Sequence, residues 1–270
     1  MTRLPDVTRR ARRVSERIRD ARARRLVARL AGPRLIRAFG EAFPAAVFVE
    51  IGANDGEQHD HLRPLILERQ WRGVMVEPVP YVFERLRRNY ADVDRVAVEN
   101  AAISDQDGQR PFFHLAPVAD YRNEGLPQWY DGIGSFSRAS VLDHQRLIPD
   151  IESRLVETEV PCLTFDSLVA KHGLGQVDLL LVDTEGYDYE VLRHIDLDRH
   201  RPALVIYEHY HLSEGDQASC EGALRAAGYE TMSEGFDTWC LRPEADAGLA
   251  RFWRRLRPAV PAVSERDEPR

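Results

Sequence analysis

The sequence predicts an α/β fold, in which a mostly parallel sheet carries helices on both faces and ends in an antiparallel edge hairpin. Its strands are short and continuously apolar, as in Val47–Ile51 and Val177–Val182, which is typical of strands buried on both faces. Amphipathic helical stretches separate most of the strands, as expected when crossover helices cover a sheet. No helix separates the last two strands, Tyr229–Met232 and Thr238–Leu241, so we expect a hairpin there.

Hydrophobic periodicity predicts the other elements in order along the chain. Strands are predicted at Val47–Ile51, Gly73–Val76, Val96–Val98, Phe112–Leu115, Val177–Val182 and Ala203–Tyr207. Helices are predicted at Asp60–Arg69, Pro80–Tyr90, Phe165–His172, Tyr189–Ile195 and Asp216–Ala227. Together they form one domain over residues 44–242. A long irregular insertion at 115–160 interrupts it, and we expect that insertion to form a substrate wall or a lid.

Two flanking segments differ from this domain in composition. Residues 1–43 form an arginine-rich helical extension, and residues 243–270 a C-terminal helix with a disordered tail. The extension has an apolar stripe that includes Val14 and Ile18, and acids such as Glu16 interrupt its basic run. We therefore expect it to pack on the main domain or to join two copies in a homo-oligomer. A nucleic-acid arm and an anchor on an acidic membrane surface are the alternatives.

Composition narrows the class of protein. The chain has 270 residues and a formal net charge of −7, which argues against nucleic acid as a partner. Its three cysteines, Cys162, Cys220 and Cys240, are widely spaced and favour a reducing compartment. No apolar run reaches the roughly 20 residues of a membrane span, and the N-terminus lacks the apolar core of a secretory signal. The expected location is the cytoplasm.

The first strand ends in the glycine-rich turn Glu50–Gly56, where a doubly wound sheet binds its nucleotide ligand. The spacing is not that of the dinucleotide fingerprint G-x-G-x-x-G. Asp55 and Glu57 would repel a pyrophosphate, whereas a cationic ligand such as the sulfonium of S-adenosylmethionine tolerates them. The residues predicted to bind the donor here are Glu50, Gly52, Asn54 and Gly56.

Two further segments extend this predicted donor site. Glu77, followed by Pro78, comes directly after the second strand, where a carboxylate accepts both hydroxyls of a ribose. After the third strand, Ala102, Ile103 and Ser104 are small or apolar and are predicted to flank the adenine ring.

A second group of polar residues follows the fourth and fifth strands. Asp183 and Glu208 end neighbouring parallel strands and are expected to converge with His209. Two carboxylates and an imidazole suit a divalent cation, Mg²⁺ or Mn²⁺, with open positions for a substrate. The same groups also suit a general base without metal, or a simple hydrogen-bonded pair of Glu208 and His209.

The motifs Val49–Gly56, Glu77-Pro78, Asn100–Gly108 and Val177–Leu192, with Tyr207-Glu208, resemble the FkbM family of methyltransferases. The family's most recognisable signature is matched by Asp183-Thr184-Glu185-Gly186. The resemblance implies a class I, Rossmann-like methyltransferase that uses S-adenosylmethionine to methylate hydroxyls of sugars or polyketides. It implies that Glu50, Gly52 and Gly56 hold the donor and Glu77 its ribose. Asp183 and Glu208 would form the floor of the reaction site.

The acceptor is expected to be a small molecule or an oligosaccharide. The insertion combines aromatic with polar residues, and that mixture favours a carbohydrate over a macrolide-like polyketide. Residues predicted to contact the acceptor are Gly134, Ser135, Tyr187 and His211, with His144 as a candidate base.

Three other classes of protein share parts of this pattern. A nicotinamide-dependent oxidoreductase would use the same sheet, but the chain lacks the Tyr-x-x-x-Lys pair of such enzymes. A nucleic-acid methyltransferase would carry an aromatic Pro-Pro-Tyr platform where this chain has Asp183–Gly186. A non-catalytic donor-binding protein would have lost the reaction-site residues.

Overall fold

The computed structural model describes residues 31–58 and 60–259 of the chain. Within these residues the helices are short, and most of them connect successive strands. The helices are α1 (Ala31–Ala42), α2 (Arg63–Glu68), α3 (Pro80–Asn89), α4 (Tyr121–Glu124), α5 (Arg138–Leu142), α6 (Ile151–Arg154), α7 (Phe165–Lys171), α8 (Asp188–Leu192), α9 (Leu197–His200), α10 (Glu214–Ala226) and α11 (Ala247–Leu256). None of them is long and apolar enough to cross a membrane.

The strands form two sheets. They are β1 (Val47–Ile51), β2 (Arg72–Val76), β3 (Val96–Glu99), β4 (Ala102–Ile103), β5 (Gly108–Leu115), β6 (Gly134–Ser135), β7 (Leu155–Leu163), β8 (Leu179–Val182), β9 (Leu204–Glu208), β10 (Glu230–Glu234) and β11 (Asp237–Leu241). The main sheet has the order β10-β11-β9-β8-β1-β2-β3. Its central pairs are parallel, and β11 runs antiparallel to both β9 and β10. The predicted class I methyltransferase sheet with an antiparallel edge hairpin is confirmed.

The two faces of the main sheet are covered by different helices. Phe48 points to the face that packs against α1, α2 and α11, while Val49 points to the face covered by α7, α8 and α10. Because alternate side chains enter opposite cores, every residue of β1 is buried. Because β1, β2, β8 and β9 are parallel, their carboxyl ends meet at one edge of the sheet. We call the space at this edge, beside Glu50, Glu77, Asp183 and Glu208, the crevice.

Helix α1 is part of the core of the main domain. Its residues Leu35 and Phe39 are fully buried, and the Gly32 N–H donates a hydrogen bond of 2.6 Å to Glu234 Oε2 on β10. The rest of the predicted N-terminal extension, residues 1–30, lies outside the described residues, as does most of the predicted tail.

The sequence predicts an irregular insertion at 115–160. In the structure this segment instead contains β6 and the first part of β7, two strands of a second sheet. Strand β7 pairs antiparallel with β5 over the whole length of β5, in a sheet of order β4-β7-β5-β6. The alternation that marks β7 is visible in its burial: Val160 and Cys162 are buried, and Glu157 and Glu159 are exposed. Because acidic residues occupy its exposed face, β7 has no continuous apolar run, and the sequence pattern does not predict it as a strand.

The C-terminal helix α11 is packed against the main sheet through Trp253. This side chain is fully buried, and its Nε1–H donates a hydrogen bond of 2.8 Å to Glu230 Oε2 on β10. We expect Trp253→Ala to lower the free energy of unfolding by about 3–5 kcal/mol, measured by denaturant titration. Trp253→Phe keeps most of the buried area and should cost roughly half of that. A cost below about 1 kcal/mol for the alanine variant would show that α11 is not part of the core.

Candidate active site

The turn after β1 lies directly against the end of β8. Gly52 has a φ of +82°, and a Cβ added there would lie 1.7 Å from the carbonyl oxygen of Asp183. Only glycine allows this approach. Asn54 also has a positive φ, of 48°, which asparagine tolerates better than most residues. The backbone of the predicted donor turn therefore forms one wall of the crevice.

Glu77 is buried at the end of β2 and ties this strand to the β1 turn. Its carboxylate accepts hydrogen bonds from the Asn54 N–H at 3.0 Å and from the Val79 N–H at 2.8 Å. Burial raises the pKa of Glu77 to about 7. Pro78 follows it, half-buried, and Asn100 donates to the backbone carbonyls of both residues. Glu77 is thus fixed beside Asn54, as the donor-site prediction requires.

Carboxylates crowd the edge where β1, β8 and β9 end. Asp183 is exposed at the crevice. Its pKa is nevertheless raised well above the ordinary value, first by partial loss of solvating water and then by the negative charges of Glu185 and Asp188. Burial, reinforced by Asp183, raises the pKa of Glu208. Asp237 stands directly opposite Glu208 in the antiparallel register of β9 and β11. Like charges in such a pair are unfavourable, so the crevice favours protons or cationic ligands.

Two buried carboxylate oxygens in this crevice have no hydrogen-bond partner among the described residues. They are Oε2 of Glu50, on the penultimate residue of β1, and Oε2 of Glu208. Burial and the charges of Asp60 and Asp183 raise the pKa of Glu50 well above its usual range. A buried carboxylate without a partner is costly, so these two oxygens mark where a ligand with N–H groups or positive charge fits.

The predicted adenine-flanking residues lie at the β4 edge of the second sheet. Ala102 and Ile103 form β4 and are buried in apolar clusters. The Ser104 hydroxyl donates to Asp105 and accepts a hydrogen bond of 2.6 Å from Arg110 Nη1. All three follow β3 closely, and their contact with the donor stays a prediction.

The structure does not join His209 to Asp183 and Glu208. His209 Nδ1 lies 3.0 Å from Thr238 Oγ1 on β11, and burial lowers the pKa of this imidazole. The next histidine, His211, faces the crevice instead, with Nε2 3.1 Å from Glu185 and 3.9 Å from Glu208. The predicted ligand set of Asp183, Glu208 and His209 is therefore not brought together by the structure, and metal binding by Asp183 and Glu208 stays a prediction. His209 is directed away from the crevice because its N–H donates a hydrogen bond to the Phe236 carbonyl, which extends the pairing of β9 with the hairpin by one residue.

His144 lies on the opposite side of this site, in a 3₁₀ turn of the insertion. Its ring is 5.7 Å from that of His211. The ligating atoms of His144, Glu185 and His211 all lie within 4.8 Å of one another. The sequence predicts Glu185 as part of a family motif and not as a site residue. In the structure its backbone φ is 52° and its carboxylate lies 3.1 Å from His211. The sequence does not reveal such a backbone conformation.

The insertion covers one side of the crevice. A Cβ on Gly132 would lie 3.3 Å from Glu185 Oε1 and 3.4 Å from Asn54 Nδ2, so its backbone contacts both the acidic group and the donor turn. Of the predicted acceptor contacts, Gly134 and Ser135 form β6, where the buried Ser135 hydroxyl accepts from the Ser137 N–H. Tyr187 is half-buried, with its ring 5.0 Å from that of Phe136. Contact of these residues with an acceptor stays a prediction.

A strip of rings runs across the mouth of the crevice. It consists of Trp129, His144, His211, Tyr210 and Phe236, each ring 4.7–5.7 Å from the next. Trp129, Tyr210 and Phe236 are 38%, 51% and 54% exposed, and they are among the few large apolar side chains that face solvent. Exposed apolar rings beside a polar crevice are typical of a ligand-binding surface. Because the five rings come from three separate segments, sequence spacing alone did not bring them together.

The sequence pattern of the methyltransferase FkbM domain matches residues 50–239. The chain belongs to this family. The match begins at Glu50 and ends at Trp239, so it includes every residue of the crevice described above. The resemblance drawn from the motifs is confirmed, because the chain carries a methyltransferase FkbM domain. The FkbM family implies S-adenosylmethionine as the methyl donor.

Relatives of this FkbM methyltransferase are distant. The 2-O-methyltransferase NoeI of Sinorhizobium fredii (strain NBRC 101917 / NGR234) is 29% identical over 150 residues, which cover 55% of this chain and 57% of NoeI. The chain thus matches little more than half the length of that relative. The solved methyltransferase FkbM from Methylobacillus flagellatus KT is 14% identical, with a TM-score of 0.47 over 73% of this chain and 44% of that one. A methyltransferase from Geobacter sulfurreducens is 14% identical, with a TM-score of 0.40 over 78% of this chain and 77% of that one.

The close approach at Gly52 predicts what a single methyl group would do to this FkbM domain. Gly52→Ala should lower the melting temperature and abolish binding of S-adenosylhomocysteine, because a Cβ would push the donor turn away from Asp183. Gly222→Ala is the matched control, because nothing lies within 4 Å of a Cβ at that helical position. It should stabilise the fold by about 0.5–1 kcal/mol. Calorimetry and thermal melts of both variants check this, and unchanged donor affinity in Gly52→Ala would contradict it.

The raised pKa of Glu77 predicts a pH dependence of stability. The folded state keeps the Glu77 proton up to about pH 7, whereas the unfolded chain loses it near 4.5, so the wild type loses stability as pH rises between these values. Glu77→Gln does not titrate. The free energy of unfolding of the wild type, relative to this variant, should therefore fall by up to about 3 kcal/mol from acid to neutral pH. Denaturant titrations at several pH values measure it, and a difference independent of pH would refute the buried-proton account.

Proposed function

We propose that this methyltransferase transfers a methyl group from S-adenosylmethionine to a hydroxyl of a carbohydrate, with assistance from a divalent cation. When bound, S-adenosylmethionine supplies a methyl group on a positively charged sulfur, which an aligned nucleophile displaces. The acidic crevice supports this donor, since Glu50 has an unpaired buried oxygen and Glu77 stands beside the donor turn. O-methylation is also supported by the relative NoeI, which is named as a 2-O-methyltransferase.

The observation that carries the choice of acceptor is the aromatic strip across the crevice mouth. Trp129, Tyr210 and Phe236 offer flat apolar rings to solvent. His211, in the same strip, lies 3.1 Å from the carboxylate of Glu185 and 3.9 Å from that of Glu208. A sugar has an apolar face of C–H groups and a rim of hydroxyls, so it satisfies the rings and the carboxylates at once. A macrolide has a larger apolar area and few hydroxyls, and it would leave these carboxylates unpaired.

A sugar hydroxyl is a poor nucleophile until it loses its proton. In the proposal, Asp183 or Glu208 accepts that proton in its ionised form. Their pKa values are raised, and a cation bound beside them would favour that form because positive charge lowers the pKa of a neighbouring carboxyl. A divalent cation, which the sequence suggested as Mg²⁺ or Mn²⁺, would lower the pKa of the hydroxyl further. His144 at the strip is the alternative base if no cation is used.

The remaining parts of the proposal concern partners and location. The acceptor is a small molecule or an oligosaccharide, nucleic acid is not a partner, and the reaction takes place in the cytoplasm. Free, buried Cys162, Cys220 and Cys240 are compatible with that compartment. A homo-oligomer formed through the N-terminal helix would depend on residues 1–30, which lie outside the described residues.

Two measurements test donor and acceptor separately. Calorimetry should show S-adenosylhomocysteine binding with a Kd on the order of 1 μM. Transfer of labelled methyl from S-adenosylmethionine should then be detected on oligosaccharide acceptors and be weak on macrolides. No binding of S-adenosylhomocysteine would refute the donor. Binding of it together with transfer only to macrolides would refute the carbohydrate.

The strip itself is tested by Tyr210→Ala, which removes an exposed ring between His211 and Phe236. We expect the KM for the sugar to rise about tenfold, because a stacked ring contributes roughly 1–1.5 kcal/mol. Affinity for S-adenosylhomocysteine should not change. The control is Leu67→Ala, which removes another exposed apolar side chain, 47% exposed, on α2 and outside the strip. Equal KM values in the two variants would exclude the strip as the acceptor surface.

A further inference from the structure

Three side chains with metal-binding atoms meet in the middle of the aromatic strip. His144 comes from the insertion, Glu185 from the turn after β8, and His211 from the loop after β9. We infer that these three residues bind a first-row divalent transition metal of the class of Zn²⁺ or Co²⁺, and not Mg²⁺. The inference deepens the proposed function, on which its role in catalysis rests, by naming the ligands and the kind of metal.

The distances suit one ion. The three ligating atoms lie within 4.8 Å of one another, and His211 Nε2 is already 3.1 Å from the Glu185 carboxylate. Ligands around a single ion of this kind, at about 2.0–2.2 Å from it, lie about 3–3.5 Å apart. An ion would therefore draw the widest pair together by less than about 2 Å, a movement that side-chain rotation supplies.

Each ligand is oriented by its surroundings. His144 Nδ1 lies 3.3 Å from the carbonyl oxygen of Val141, so a proton on Nδ1 leaves Nε2 free to bind metal. His211 is held between Glu185 and Gly186, since a Cβ on Gly186 would lie only 3.3 Å from the His211 Cβ. Fixed rings of this kind are typical of metal-binding histidines, whose second nitrogen is usually bonded to a backbone carbonyl or a carboxylate.

A second observation points to a cation at this place. Glu208 Oε2 is buried and has no hydrogen-bond partner, and Glu208 Oε1 lies 3.9 Å from His211 Nε2. The negative charges of Asp183 and Asp237 act on the Glu208 carboxylate. Among the described residues, His61 lies 4.0 Å from Asp237 and is the basic side chain paired with it. A metal ion beside Glu208 would supply the positive charge that this carboxylate lacks.

The ligand types decide which metal fits. Mg²⁺ prefers oxygen ligands in octahedral geometry and keeps several waters, whereas imidazoles suit Fe²⁺, Ni²⁺ or Zn²⁺. Two imidazoles and one carboxylate leave at least one position open around such an ion. A sugar that stacks on Tyr210 or Trp129 would present a hydroxyl there, because both rings flank the two histidines.

The test measures metal binding directly on the full chain. Protein stripped with EDTA is titrated with Co²⁺, whose visible absorption bands report its ligands, and with Zn²⁺ and Mg²⁺ by calorimetry. We expect one equivalent of Zn²⁺ or Co²⁺ to bind and Mg²⁺ to give no saturable heat. His144→Ala and His211→Ala should each weaken the binding by a factor on the order of 10–100.

The matched control is His172→Ala, which removes another histidine paired with a glutamate, Glu99, at 2.9 Å outside the strip. It should leave metal affinity unchanged, and all variants should still bind S-adenosylhomocysteine if they are folded. Equal metal affinity in all three variants, absence of binding, or preference for Mg²⁺ would each overturn the inference. Metal binding at this site together with full methyl transfer by metal-free protein would leave the site in place and refute only the metal assistance in the proposed function.

Discussion

The structure depends on the accumulation of carboxylates at one end of a parallel sheet. Glu50, Asp183 and Glu208 belong to three neighbouring strands whose carboxyl ends meet, so their proximity follows from topology alone. Asp237 joins them because β11 is antiparallel and begins at the same edge. Loss of solvating water and mutual repulsion raise the pKa values of these groups, so this edge of the sheet favours a cationic ligand.

The second sheet adds the side of the site that the main sheet lacks. Strand β5 follows directly from the edge beyond β3, and β7 returns along it, so the segment between them is held over the crevice. Within that segment, Gly132 contacts Glu185 and Asn54, and His144 reaches the ring of His211. The main sheet therefore supplies the carboxylates, and the insertion supplies rings and an imidazole that face them.

Most of the main sheet could be predicted from the sequence, because strands buried on both faces leave continuous apolar runs. Val47–Ile51 was predicted with its observed bounds, and Glu50, Glu77 and Asp183 lie at the crevice where strand ends were expected. The prediction failed where apolar runs are absent, as in β7. It also failed just beyond the end of β9, where the chain turns: His209 bonds to the hairpin, and His211, two residues later in the turn, faces the crevice.

These two kinds of failure have the same physical origin. A parallel strand is specified by its own residues, but the direction of a loop side chain is specified by contacts with other segments. Glu185 faces His211 only because its backbone adopts a left-handed conformation, which Gly186 and the packed loop after β9 maintain. Strain of this kind persists when the surroundings enforce it, and it occurs most often at functional sites. The residues hardest to predict from the sequence are therefore those in which the insertion, the β8 turn and the β9 loop constrain one another at the mouth of the crevice.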